Sequence, residues 1–176
     1  MPEIIYFVAM SLDGYIATPD GGVGWLAPFE GGPEDYGYTG FYDSVDAILL
    51  GSRTYEQVLT FGEWPYAEKP SWVLSSREFE AAAPEIVVTG SSPSAVAEEM
   101  RARGIRRAWL VGGAAVASSF RNEGLITEYI VSVMPVVLGG GIPLFGLPGP
   151  RERLTLVSEE RYDDGVVQLI YRSTEA

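Results

Sequence analysis

Ala47-Ile48-Leu49-Leu50-Gly51-Ser52-Arg53-Thr54 is the stretch on which the fold turns. Four apolar residues without polar alternation predict a strand buried on both faces. Gly51 then breaks the run, and the residues from Arg53 to about Leu59 predict a helix. A buried strand feeding a helix is the unit of an α/β fold. It also places backbone N–H groups, hydroxyls and a guanidinium at a helix N-terminus, a set suited to a phosphate. Leu74-Ser75-Ser76-Arg77 and Val111-Gly112-Gly113-Ala114 likewise end strand-like apolar runs, and the second also opens a helix. Each segment alone is equally a plain turn or a surface arginine. Together they describe a nucleotide site.

Outward from there, Ile4–Leu12 predicts a buried central strand broken by Asp13-Gly14, with Tyr15–Ala17 as a short extended piece. The stretch from Gly21 to Gly40 is rich in glycine and aromatics without a firm period and predicts a loop that can move. A short helix is expected from about Thr39 to Val45. Ser71–Leu74 and Glu85–Thr89 predict strands, and Ser92 or Ser94 caps a helix that runs to Arg103 and stops at Gly104. Ala108–Val111 predicts a strand and Gly113–Asn122 a small-residue helix. Ile126–Leu138 predicts a long strand interrupted by Pro135, at a bulge or a crossing. Leu154–Tyr162 and Val166–Arg172 predict a hairpin around Asp163-Asp164-Gly165. The fold class expected is α/β in three layers, a mixed, mostly parallel central sheet flanked by helices, with a C-terminal antiparallel hairpin.

With 176 residues, 47% of them hydrophobic, the chain can bury one sizeable core and is expected to form a single domain. The net charge of -12 opposes nucleic acid and anionic membrane surfaces as partners. Cysteine and histidine are absent, which excludes disulfides, thiol nucleophiles, cysteine–histidine zinc sites and serine–histidine triads. No metal site is expected. Neither a signal peptide nor a membrane span is present in the sequence, so a cytoplasmic location is expected.

The order Val8-Ala9-Met10-Ser11-Leu12-Asp13-Gly14-Tyr15-Ile16-Ala17, Gly51-Ser52-Arg53-Thr54-Tyr55-Glu56, Leu74-Ser75-Ser76-Arg77 and Leu110-Val111-Gly112-Gly113 resembles the dihydrofolate reductase superfamily. Met10-Ser11-Leu12-Asp13-Gly14 and Val137-Leu138-Gly139-Gly140-Gly141 bring it closer to the branch containing the reductase domain of riboflavin biosynthesis. The resemblance covers nearly the whole chain and implies an NADPH site. Ala9 and Ile16 would line the nicotinamide pocket, and the loop from Asp13 to Trp25 would close over it. Gly51, Ser52, Arg53 and Thr54 would hold the pyrophosphate, and Ser75, Ser76 and Arg77 the adenosine ribose and its 2′-phosphate. Val111, Gly112 and Gly113 would bring backbone against the cofactor at a peptide bond often cis in this family, with Ala114, Ala115 and Val116 completing the turn. The substrate is expected against Val8, Asp13, Trp25, Phe41 and Tyr42, amid aromatics that include Phe29, Tyr36 and Tyr38.

The departures from the family pattern matter as well. Dihydrofolate reductases carry a pterin-binding acid before the Gly-Ser-Arg-Thr strand. Counting back from Gly51 lands near Asp35, whereas aligning on Phe41 lands on Gly37 or Tyr38. Ala115 stands where such enzymes place an arginine after the paired glycines. Riboflavin enzymes usually join this domain to a deaminase, which these residues do not include, and that weighs against a riboflavin role. The expectation is an NADPH-dependent reductase of a small heterocyclic or carbonyl substrate. Its proton would come from bound water first, or from Asp35, Glu34 or a tyrosine of the same loop. The alternative is a non-catalytic nucleotide-binding or ligand-sensing protein on the same fold. Gly139-Gly140-Gly141 reads either as a phosphate cradle or as a tight crossing near a subunit interface. The resemblance also favours a homodimer.

Overall fold

In the computed structural model, which describes residues 1–174, Ala47–Gly51 forms a strand whose five residues are all buried. It belongs to an eight-stranded sheet built from β1 (Glu3–Ser11), β3 (Ala47–Gly51), β4 (Ser71–Leu74), β5 (Ile86–Thr89), β6 (Arg107–Gly112), β7 (Glu128–Met134), β9 (Leu154–Arg161) and β10 (Val167–Ser173). The spatial order is β5-β4-β3-β6-β1-β7-β10-β9. Every neighbouring pair from β5 to β7 is parallel, and β10 pairs antiparallel with both β7 and β9. β2 (Tyr15–Ala17) and β8 (Ile142–Pro143) form a separate antiparallel pair.

Residue alternation along the strands builds two apolar layers. Ile4, Tyr6, Leu49, Trp72 and Leu110 face α3 (Pro93–Ala102) and α4 (Ala114–Asn122), where Val96, Met100 and Phe120 meet them. Ile5, Ile48, Leu50, Val73 and Trp109 face α1 (Tyr38–Ser44) and α2 (Ser52–Leu59), where Phe41 and Tyr55 meet them. Leu49 and Leu50 are both 0% exposed on opposite faces of one strand, and burial of such side chains contributes about 1.5–3 kcal/mol each. That double burial explains why Ala47–Leu50 lacks polar alternation. α3 ends as expected: Gly104 takes φ +80°, and the Ile105 N–H donates to Met100 O at 3.0 Å.

The structure departs from the sequence expectation in three places. The long strand anticipated from Ile126 to Leu138 stops at Met134, because Pro135 has no N–H to give the ladder. The segment after it turns back, with Val136 N donating to Met134 O and Leu12 N donating to Val136 O, both at 2.8 Å. The glycine and aromatic stretch is partly ordered by a 3-10 helix, Gly24–Phe29. β8 was not anticipated at all.

Candidate functional site

Because β3, β4 and β6 run parallel, Gly51, Leu74 and Gly112 end at one edge of the sheet, the carboxyl edge where ligands of open α/β sheets bind. The first turns of α2 and α4 abut there. A Cβ added to Gly51 would lie 2.9 Å from Val116 Cγ2 and 3.7 Å from Gly113 N, and one added to Gly113 would lie 3.1 Å from Thr54 Oγ1. The Gly112–Gly113 peptide is cis, and the register of β3 on β6 slips past Val111, so Leu49 pairs with Leu110 and Leu50 with Gly112.

Helix capping separates these two α-helices from α1 and α3. α2 and α4 begin at Gly51 and Gly113 with no side-chain cap, leaving first-turn N–H groups without that partner. α3 is capped by Ser92 Oγ, which accepts from Ala95 N at 3.3 Å. The start of α1 is served by Asp35, whose carboxylate accepts from Gly37 N at 2.9 Å and Thr39 N at 3.1 Å. The two bare starts are the two that meet at the carboxyl edge.

The third segment joins them through α2. Arg77 Nη2 lies 2.6 Å from Glu56 Oε1, one turn along α2 from Arg53, and Arg77 N donates to Ser75 Oγ at 3.0 Å. Ser76 and Ala115 are exposed. Arg53 is exposed and makes no ion pair among the described residues.

Beside these turns, on the α1 side of the sheet, lies a hollow of about 260 Å³. Phe7, Ala9, Trp109, Ser132 and Met134 come from the sheet, Tyr36 and Tyr38 from the approach to α1, and Leu26 and Phe29 from the 3-10 helix. Val8, Glu30 and Asp35 complete its lining. Sheet register explains the floor, since Ala9 pairs with Ser132 across β1 and β7. Tyr38 meets Trp109 edge-on, with ring centroids 5.6 Å apart, and Trp109 Nε1 donates to Phe7 O at 3.1 Å. The cover is tied down from two sides: Gln168 Nε2 donates to Tyr36 O at 2.9 Å, and Gln57 Nε2 of α2 donates to Gly21 O at 2.9 Å. A larger, more open hollow of about 440 Å³ at the opposite edge is lined by Glu3, Ser44, Asp46, Arg106 and Arg107. Its polar groups serve each other, with Asp46 accepting from Arg106 N and Arg107 N, and it has no aromatic wall.

The residues expected to meet substrate are distributed differently. Val8 and Asp35 line the hollow. Phe41 is only 8% exposed and packs on Phe7 and Trp109 behind the wall. Tyr42 stacks behind Tyr38, and Trp25 sits in the 3-10 helix next to the lining residue Leu26. Ile16, expected at the nicotinamide rather than the substrate, lies on β2 outside the lining. Asp13 is a pin: it accepts from Ser11 Oγ at 2.6 Å, Leu138 N at 3.0 Å and Gly139 N at 2.7 Å. These bonds, led by the Ser11 hydroxyl, lower its pKa. At Gly139-Gly140-Gly141 the chain passes close to β2, with no room for a Cβ on Gly141 beside Ala17 O. Phe7, Trp109, Ser132 and Met134 escaped the sequence reading; the one signal for Ser132 was a hydroxyl inside an otherwise apolar strand core.

Asp35 also has a lowered pKa, chiefly through the Thr39 side chain and then the Thr39 and Gly37 N–H groups. A carboxylate favoured in the folded state adds stability above its unfolded pKa, and that stability is lost as pH falls through the lowered folded value. Asp35→Ala should therefore lower the melting temperature at pH 7, with the gap to the parent closing below about pH 3. Thermal melts across that range measure it.

The model of the RibD C-terminal domain family matches residues 2–168. The chain belongs to this family. Among its relatives, the chain is 34% identical to YwjB, an uncharacterized protein of Bacillus subtilis, over 96% of this chain and 97% of that one. A crystal structure from Shewanella sp. PV-4, assigned provisionally to riboflavin biosynthesis, superposes with a TM-score of 0.88 at 30% identity, covering 99% of both chains. The deaminase/5-amino-6-(5-phosphoribosylamino)uracil reductase of Thermotoga maritima shares the fold at 17% identity and a TM-score of 0.74, with 98% of this chain matching 56% of that one. Membership of the RibD C-terminal domain family supports a reductase-type role. No helix among the described residues is long and apolar enough to cross a membrane.

Proposed function

We propose that this chain is an NADPH-dependent reductase that delivers a hydride to the carbon of a C=N or C=O group in a small heterocyclic or carbonyl substrate. The observation that carries the reading is the meeting of two uncapped helix starts beside an aromatic hollow. Bare N–H groups and the helix dipoles favour a pyrophosphate. Gly51 and Gly113 let the two helix starts lie side by side, since a Cβ at either would press on Val116 or Thr54 of the other helix. Ser52, Arg53 and Thr54 on one side and Ala114, Ala115 and Val116 on the other would hold the pyrophosphate. Ser75, Ser76 and Arg77 would hold the ribose and its 2′-phosphate, and Ala9 would lie against the nicotinamide. When bound, the dinucleotide supplies the hydride.

The proton has a separate source. Both Asp35 oxygens accept helix N–H groups and the carboxyl stays ionised at neutral pH, so Asp35 orients and attracts rather than donates. The Tyr36 hydroxyl donates to Asp164, and its pKa is pushed up to about 12 by burial and then by that carboxylate. Water held at the Asp35 side of the hollow is the donor we favour. Leu26 and Phe29 limit its access from above.

Titration with NADPH, read by nicotinamide fluorescence, should show saturable binding, and cofactor oxidation should follow when a reducible heterocycle is added. Binding without oxidation across pteridines, pyrimidines and carbonyl compounds would favour the ligand-sensing alternative. No binding would remove the nucleotide site altogether.

A further inference from the structure

Resting on the reductase reading for its chemistry, we infer that the compound entering the aromatic hollow is a planar heterocycle that is neutral or cationic and carries no phosphate. Phe7, Phe29, Tyr38 and Trp109 supply flat apolar walls. The only charged residues lining the hollow are Glu30 and Asp35, both acidic. More negative charge surrounds them: Asp164 accepts from the Tyr36 hydroxyl, Glu34 acts on both Tyr36 and Tyr162, whose rings meet at 5.0 Å, and Glu160 acts on Tyr162. The nearby ammonium of Lys69 is committed elsewhere, donating to Val45 O at 2.6 Å and lying 4.6 Å from the centre of the Tyr42 ring. Arg53 and Arg77 belong to the α2 side, at the proposed dinucleotide site.

The floor points the same way. Ser132 is 6% exposed, and its Oγ accepts from Gln168 Nε2 at 3.0 Å. Among the described residues nothing accepts the Ser132 hydroxyl proton, so it is free to donate to a ring nitrogen or carbonyl. The hollow thus offers neutral donors in the Ser132 and Tyr38 hydroxyls and carboxylate acceptors at its side, which suits a ring bearing both a carbonyl or imine acceptor and amino or ring N–H donors. A phosphate would enter against two or more carboxylates without a counter-charge. The Thermotoga reductase is named for a phosphoribosylated uracil, and nothing lining this hollow provides for that phosphate.

Binding is measured by quenching of tryptophan fluorescence, since Trp109 lines the hollow. The probes are 6-hydroxymethylpterin against pterin-6-carboxylate, and 5-amino-6-(ribosylamino)uracil against its 5′-phosphate. In each pair the uncharged compound should bind at least about tenfold more tightly at low salt, with the gap narrowing as salt screens the carboxylates. Glu34→Gln combined with Glu160→Gln, which act through charge from outside the lining, should tighten the anionic probes about threefold and leave the neutral ones unchanged. Equal or tighter binding of the anions, no effect of the double substitution, or no binding by any probe would overturn the inference. The two readings fail separately. If the neutral compounds win but NADPH is neither bound nor oxidised, the reductase reading falls and the charge selection stands.

Discussion

Gly141→Ala should destabilise the protein by about 3–5 kcal/mol, lowering its melting temperature by roughly 10 °C. Gly141 sits at φ +146°, a conformation side chains rarely adopt, and a Cβ there would lie 2.1 Å from Ala17 O. The obstructing atom is backbone and belongs to β2, so no rotamer change relieves the overlap. The strain would spread to the β2–β8 pair, to the Leu144 N–Gly14 O bond at 3.0 Å, and to the Asp13 carboxylate that holds Leu138 and Gly139. Gly140→Ala is the matched control, since a Cβ there meets nothing within 4 Å and the position lacks the unusual φ. Thermal denaturation of both variants decides the matter. Equal melting temperatures would mean that the crossing over β2 yields easily.

Arg77→Ala should weaken NADPH binding roughly 10- to 100-fold, the range for a hydrogen bond to a charged group, while changing NADH binding by less than about threefold. Arg77 now faces Glu56 at 2.6 Å, with 64% and 53% of the two side chains exposed. Such a surface pair is worth at most about 1 kcal/mol, so exchanging Glu56 for a phosphate dianion is favourable. Arg53→Ala provides the contrast. Its guanidinium stands at the start of α2 and would serve the pyrophosphate common to both dinucleotides, so its loss should weaken both alike. Fluorescence titrations of the two variants with the two cofactors give four constants. Parallel losses in Arg77→Ala would remove the 2′-phosphate from this residue.

Much of the fold was legible because its signals are local. Buried parallel strands announce themselves by unbroken apolar runs such as Ala47–Leu50, helix ends by Gly104, and the terminal hairpin by Asp163-Asp164-Gly165. β8 was not legible, since two residues including a proline carry no period and pair only because Gly141 lets the chain pass close to β2. The glycine turns after β3 and β6 were visible as motifs, but their contact through Gly51, Val116 and Thr54 depends on β3 lying beside β6. The hollow was the least legible part. Phe7, Trp109 and Ser132 meet only because β6, β1 and β7 are neighbours, and strand order is a non-local property. Phe41 and Tyr42 were expected against the substrate, yet helical spacing turns them behind Tyr38 rather than into the space.

The two glycine-started helices have a thermodynamic corollary. Where α1 and α3 are completed by Asp35 and Ser92, the chain supplies its own electron pairs to the leading amides; α2 and α4 have no such side chain and, on the proposed function, would take theirs from the dinucleotide. If NADPH binds there as proposed, heat resistance measured on the bare polypeptide is a floor, and the dinucleotide should lift it by an amount set by concentration relative to dissociation constant, about 2.7 kcal/mol at a hundredfold ratio.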